Sequence, residues 1–212
     1  MTCQERRQSS ATHARLPPAL SETYCMHMPT LKRRWTVADL DDLPDDGNRY
    51  EVIDGELFVT PSPSLRHQEA IGELYLLLRA YLSRERVGHA FFAPADVIFS
   101  PIRAVQPDLL VLPLINGHRP DQFGYVGRLL FAAEVLSPST ARADRVAKRT
   151  MFRDEGVAEY WIVDLDARTV ERSTPADPRV EVLADRIEWF PAGAGSPLVV
   201  DLVDYFKRVL DD

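Results

Sequence analysis

The run Phe131-Ala-Ala-Glu-Val-Leu-Ser-Pro-Ser-Thr140 decides the fold. Leu129 to Ala133 before Glu134 and Val135-Leu136 after it are apolar, the pattern of a strand buried on both faces. A carboxylate inside such a strand loses its hydration, so it must be paired, metal-bound or placed at the strand's open end. Pro107-Asp108-Leu-Leu-Val-Leu112 repeats the pattern, with Asp108 at the mouth of a second apolar strand. Laid side by side, the two strands bring their carboxylates together. Two such oxygen donors, supplemented by waters and a phosphate, are what Mg2+ or Mn2+ takes.

Working outward, Ser137-Pro-Ser-Thr140 offers Ser139 or Thr140 as the cap of a helix running to about Glu155. Asp144 and Lys148 stand four residues apart on it and so share a face. They read as an ordinary helix ion pair, or as Asp144 orienting Lys148 towards the acids. Arg142, Arg145, Lys148, Arg149 and Arg153 make this the most basic piece of the chain, which a solvated helix face also explains. Downstream, Tyr160-Trp-Ile-Val and Arg168 to Arg172 read as a strand pair, with Tyr160 and Trp161 as core residues. Val180 to Leu183 and Arg186 to Phe190 extend it into a small β-meander, and Leu202 to Leu210 form a terminal helix.

Upstream, Thr36 caps a short helix ended by Pro44, and Asp54-Gly55 between Tyr50-Glu-Val-Ile53 and Glu56-Leu-Phe-Val59 is a hairpin signal. Alternation puts Glu51 on the opposite face from Tyr50 and Val52, which reads first as a solvent-facing acid and otherwise as an extra acid near the metal. From His67 to about Arg86, Ile71, Leu74, Tyr75, Leu78, Tyr81 and Leu82 follow the helical period, with Ser64 as cap, His67 as a structural residue in preference to a catalytic base, and Gly88 as the stop. Ala90 to Phe99 is a strand interrupted near Pro94 and antiparallel to the Asp108 strand. Leu114 to Arg128, rich in turn residues, is expected to be a mobile loop at the site entrance.

The chain has 212 residues and a formal net charge of −7, with 45% hydrophobic and 27% charged residues, the make-up of one globular domain. A binder of nucleic acid is usually basic, so the charge argues against a broad, nonspecific phosphate footprint. Cys3 and Cys25 form no disulfide or zinc pattern, which favours a reducing cytoplasm. Residues 1–34 are polar and aperiodic and read as a disordered leader, leaving a single domain over 35–212. No run approaches the length of a membrane helix.

In Tyr50-Glu-Val-Ile-Asp-Gly-Glu-Leu57, Pro61-Ser-Pro-Ser-Leu-Arg-His-Gln68, Gln106-Pro-Asp108, Glu134-Val-Leu-Ser-Pro-Ser-Thr140, Asp144, Lys148 and Gly156-Val-Ala-Glu-Tyr-Trp161 the sequence resembles the Uma family of restriction endonucleases, within the PD-(D/E)XK nuclease superfamily. The ordered set is specific, although no single motif is. The resemblance implies an α/β fold with a mixed sheet, a restriction-endonuclease-like core, flanking helices and a C-terminal β-meander. It also implies metal-dependent hydrolysis of phosphodiester bonds, in DNA, by a homodimer. Asp108 and Glu134 would hold Mg2+ or Mn2+ with the carbonyl of Val135, and Glu51 and Asp144 would support them. The superfamily lysine expected two residues after Glu134 is Leu136 here, and the resemblance suggests that Lys148 has taken its role. The competing reading is an inactive nucleic-acid-binding or interaction module on the same fold, and a third is an enzyme for another phosphorylated substrate. Met26 and Met28 stand just before the family-like part, which predicts a start later than Met1 that N-terminal sequencing of the native protein checks.

Overall fold

The computed structural model describes residues 33–122, 124–125 and 128–211. The leader, its two cysteines and the question of the start lie almost entirely outside the described residues. From Arg34 onward the chain forms one compact unit.

Asp54 and Gly55, both at positive φ, close β1 (Arg49–Ile53) onto β2 (Glu56–Thr60) in the two-residue hairpin that their sequence favours. Before it, Thr36 and Asp39 cap a 3-10 turn over Val37–Asp42 reciprocally. Helix α1 (Leu65–Glu85) starts at Ser64, whose side chain accepts the His67 N–H. It stops at Arg86 in the left-handed conformation rather than at Gly88. Gly88 instead opens β3 (Gly88–Phe92), where a Cβ would come within 2.8 Å of the Leu112 carbonyl oxygen.

The run Ala90 to Phe99 is two strands rather than one interrupted strand. β3 pairs antiparallel with β6 (Leu109–Pro113), as expected, but β4 (Val97–Ser100) turns into another sheet beside β5 (Arg103–Val105). β7 (Gly124–Tyr125) joins that second sheet, whose order is β2-β1-β5-β4-β7. The central sheet adds β8 (Phe131–Val135), β9 (Tyr160–Asp164), β10 (Thr169–Thr174) and β11 (Asp177–Leu183), in the order β11-β10-β9-β8-β6-β3. β9, β10 and β11 form the meander. Arg186 to Trp189, expected to continue it, is β12 and pairs with β13 (Leu198–Asp201), which the sequence reading missed. Helix α3 (Leu202–Leu210) has the bounds that the sequence indicates.

β8 and β9 are parallel, so a crossover must join them. It begins as a π-helical turn, Ala143–Lys148, and continues as α2 (Arg149–Asp154). The expected helix is therefore present but wider in its first part. Ala141 and Arg142, the helical residues that lead into it, follow directly on Thr140, whose carbonyl accepts the Asp144 N–H at 3.0 Å.

Alternation along the strands sorts the core into two faces. Leu109, Val111, Phe131, Ala133, Val135, Trp161 and Val163 face α1, α3 and the β12-β13 hairpin. Leu110, Leu112, Ala132, Tyr160 and Ile162 face the second sheet and α2, packing on Ile53, Val97, Met151 and Phe152. The fold is a mixed α/β sandwich with the central sheet as its middle layer. Among the described residues no helix is long and apolar enough to cross a membrane.

Candidate active site

β6 and β8 are neighbours, with Leu109 paired to Ala133, and one further step of that register sets Asp108 against Glu134. Both acids alternate onto the face that looks at the second sheet, and each is almost wholly buried, 3% and 2% exposed. The expected juxtaposition is thus a consequence of strand register.

Lys148 reaches this pair from the π-helical turn. Its Nζ lies 2.8 Å from Glu134 Oε1, 2.9 Å from Glu51 Oε2 and 3.6 Å from Asp144 Oδ1, at 2% exposure. Leu136, in the sequence position where the superfamily has lysine, packs partly buried against the apolar cluster of the second face. A π-helical turn is wider than an α-helical one, and here both Asp144 and Lys148 are buried towards the acids.

Glu51 is not the solvent-facing strand acid that alternation first suggests. It is 1% exposed, because β1 belongs to a second sheet packed over the central one. Its Oε1 accepts the Gln106 backbone N–H at 2.8 Å, which fixes the carboxylate beside Lys148. Two further residues meet Asp108: Arg49, which the sequence reading did not single out, and His67, which it took as structural without this partner. Arg49, at the start of β1, donates from Nη1 to Asp108 Oδ1 at 3.0 Å and to the Gln106 carbonyl at 2.8 Å. His67, in the first turn of α1, stands with Nε2 3.0 Å from Asp108 Oδ2, which also accepts the Val135 N–H at 2.9 Å. Helical period alone could not show that the start of α1 overhangs the mouth of β6.

The electrostatics follow from these contacts. Burial would raise the carboxyl pKa of Asp108, but the His67 hydrogen bond, the Arg49 charge and the Val135 N–H outweigh it and hold the group well below the usual range. Glu134 is pushed the other way. Burial comes first, the charges of Asp108, Asp144 and Glu51 add to it, and Lys148 offsets only part. Asp144 is raised too, chiefly by burial. Burial works against the Lys148 ammonium, yet Glu134, Glu51 and Asp144 together raise its pKa, so the lysine stays charged at neutral pH.

If all four buried acids, Glu51, Asp108, Glu134 and Asp144, were ionised they would outnumber the two permanent cations, Arg49 and Lys148, by two, and the raised pKa values of Glu134 and Asp144 express that excess. Asp144 Oδ1 is buried without a hydrogen-bond partner. Among the described residues no three acids or histidines stand together in coordination geometry. The donor set nonetheless fits a hard divalent cation that keeps water ligands, since the residues supply carboxylate oxygens and such an ion would offset the repulsion among them.

The acids open into a cleft of about 500 Å3 lined by Arg49, Arg66, His67, Asp108, Glu134 and Lys148, with Pro61 to Ser64 and Leu136 to Ala141 on its rims. The described part of Leu114 to Arg128, expected at the entrance, is not among its walls. It is drawn away by the pairing of β7 with β4. The basic helix is largely neutralised: Arg145 pairs with Asp164 and Glu171, and Arg149 with Glu171.

A mixed sheet with acids at one strand mouth and a lysine from the following helical segment defines the fold class of the restriction-endonuclease-like proteins. The family profile described as "Uma2: Putative restriction endonuclease" matches residues 37–189, and the chain belongs to that family. Among solved structures, a "putative nuclease belonging to DUF820" from Anabaena variabilis superposes with a TM-score of 0.68 at 21% identity. The match covers 82% of this chain and 98% of that one, a likeness of fold. No curated protein matches the sequence.

Proposed function

We propose that the protein is a metal-dependent endonuclease that hydrolyses phosphodiester bonds in DNA. The observation that carries the reading is the convergence on one point of Asp108, Glu134, Glu51 and Lys148, from two sheets and a helical crossover. Family membership supports a nuclease at the level of class.

Asp108 and Glu134, with the Val135 carbonyl, would hold Mg2+ or Mn2+. When bound, the ion neutralises the scissile phosphate and makes a water more acidic. Arg49 and His67 hold Asp108 ionised and fixed, so that it meets a cation without first losing a proton. Lys148 is kept charged by its three acids and therefore acts as a donor, orienting the attacking water and stabilising charge that develops on phosphate oxygen. Glu51 and Asp144 position that ammonium. In the reaction a water oxygen bonds to phosphorus and loses a proton to solvent, the bond from phosphorus to one sugar oxygen breaks, and that oxygen takes up a proton from solvent to leave as a hydroxyl. Cleavage of both strands of a duplex is best met by two copies related by a two-fold axis, and a homodimer belongs to this proposal. The cytoplasm, a reducing compartment, suits the use of cysteine.

The lysine brought to Glu134 by the crossover favours an active enzyme over an inactive module, because Leu136 alone no longer argues for loss of the site. The test is cleavage of supercoiled, linear and single-stranded DNA with Mg2+ or Mn2+, beside Glu134→Gln and Lys148→Ala. Metal-dependent cleavage lost in both variants is the expected result. Cleavage that survives Glu134→Gln, or none under any condition, removes the proposal.

A further inference from the structure

Beside the acid cleft lies a second cavity, of about 910 Å3, and the two share Arg49 and Asp108 as a common wall. We infer that this second cavity receives an unpaired nucleobase flanking the scissile phosphate, a reading that rests on the nuclease proposal and names its substrate as one with an accessible single-stranded base.

The walls differ in chemistry. Among the described residues lining the second cavity, Asp41, Asp45, Asp96 and Asp108 face the single cation Arg49, so a run of phosphates is repelled from it. The acid cleft sets Arg49, Arg66, Arg145 and Lys148 against Asp108, Glu134, Asp144, Asp164 and Asp166, so its charges come closer to balance and a phosphate meets less repulsion there than in the second cavity. The second cavity offers flat and apolar surface instead. Tyr75 and Phe92 meet edge to face at 5.0 Å, and Phe92 is left 53% exposed. Amides of Asn48, Gln68 and Gln106 also line it, and these suit the donor and acceptor edges of a base. Gln106 is already held by its Nε2 bond to Asp96 at 2.8 Å, which fixes the way its carbonyl faces.

The helix that walls the cavity supplies an independent observation. Gln68, Ile71, Gly72 and Tyr75 form one stripe of α1 at helical spacing. A glycine inside a helix lowers its stability, and Gly72 has no close approach to justify it, since nothing lies within 4 Å of where its Cβ would be. The glycine keeps room in the cavity. The net charge of −7 points the same way, because a chain with few phosphate contacts must draw affinity from stacking.

The experiment uses the full chain in EDTA, so that binding is read without cleavage. The probe is a short single-stranded DNA carrying one 2-aminopurine, with its RNA counterpart and with a DNA that is abasic at the same position. Wild-type protein is expected to change the 2-aminopurine fluorescence. Gly72→Trp, whose Cβ meets no protein atom within 4 Å and whose indole is meant to occupy the cavity, is expected to weaken binding by about ten- to a hundredfold. The abasic strand should lose the same factor, with little further loss when both changes are combined. Tyr75→Ala should act in the same direction. The DNA and RNA arms tell which backbone the base belongs to. Equal affinity of wild type and Gly72→Trp, or of base-bearing and abasic strands, overturns the inference. So does a change in sedimentation of Gly72→Trp with unchanged strand affinity, which would make the cavity a contact between copies of the chain. If metal-dependent cleavage persists in Gly72→Trp with unchanged KM, the nuclease reading stands and the base site falls. If wild-type protein neither binds a strand nor cleaves one, both fall.

Discussion

The two faces of the central sheet are built on opposite principles. On one, Phe131 and Trp161 stack edge to face at 4.9 Å, Trp189 leans on Phe131 at 5.1 Å, and α1 and α3 seal the layer. On the other, one residue along from Ala133, Glu134 meets three more buried carboxylates and a buried lysine. The first face gains from every group it buries, whereas the second carries desolvated charge that only further charge can compensate. The acid cluster is therefore held in place by the apolar packing around it, the aromatic face behind the sheet and, on its own face, Leu110, Tyr160 and Ile162 against Met151 and Phe152.

The largest effects test that division directly. Trp161→Ala should cost about 3–5 kcal/mol by opening a cavity in the aromatic face. Lys148→Met should cost a similar amount, about 3–5 kcal/mol, for the different reason that Glu51, Glu134 and Asp144 lose their shared cation. Urea unfolding gives both numbers, and second substitutions separate their causes. Adding Glu134→Gln should recover a large part of the loss in Lys148→Met and nothing in Trp161→Ala. If the rescue is equal in both, or absent in both, the two faces do not differ as described.

The sequence reveals the two faces unequally, and the reason is physical. Strand alternation and register are local, so Asp108 and Glu134 could be paired from their apolar surroundings alone. Lys148 was reached through helical spacing and resemblance, although the π-helical turn that delivers it has no signature in the residues. Glu51 looked solvent-facing because its burial comes from the packing of its own sheet on the central one, and β5 and β4, the strands that complete that sheet beside β1, come only after β3 and β4 part at Pro94. Arg49 and His67 were missed as partners of Asp108 because each begins an element, and no period within an element shows what its first residue overhangs. The fold class and the C-terminal helix depended on local pattern and were legible. The pairing of β12 with β13 joins segments too far apart for a hairpin signal, and it was not.

A smaller effect follows from protonation. Glu134 ionises near its ordinary value of 4.5 in the unfolded chain, but burial and its acidic neighbours raise that value in the folded one. Between the two values the folded state binds more protons, so stability is fully present below pH 4.5 and declines as the pH rises through the window. Asp108 has the opposite sign. Its contribution is present above 3.8 and is lost only as the pH falls towards its depressed folded value, so it adds no slope at neutral pH. Urea titrations from pH 5 to 8 without divalent metal should show stability falling, by up to about 1.4 kcal/mol per pH unit for a single proton. Glu134→Gln should flatten that slope, with Asp144 leaving a remainder. An unchanged slope in the variant would mean that the excess proton of the acid face sits elsewhere.

The smallest effect tests whether the supporting helix has given up stability for the site. Helix α1 belongs to both regions: Leu74, Leu78 and Tyr81 pack into the aromatic face, while His67 reaches Asp108 and Gly72 borders the cavity beside it. At Gly72 the backbone is ordinary right-handed helix and an added methyl meets nothing within 4 Å, so no steric reason opposes alanine. Gly72→Ala should then stabilise the fold by about 0.5–1 kcal/mol, through lower chain entropy in the unfolded state and better helix propensity. The midpoint of urea unfolding should rise with its slope unchanged. A stabilised Gly72→Ala beside an equally well folded but binding-deficient Gly72→Trp would show that the position is limited by what must enter the cavity. A destabilised Gly72→Ala would show instead that the helix needs its glycine, and the line drawn between a face that stabilises and a face that serves would not run through α1.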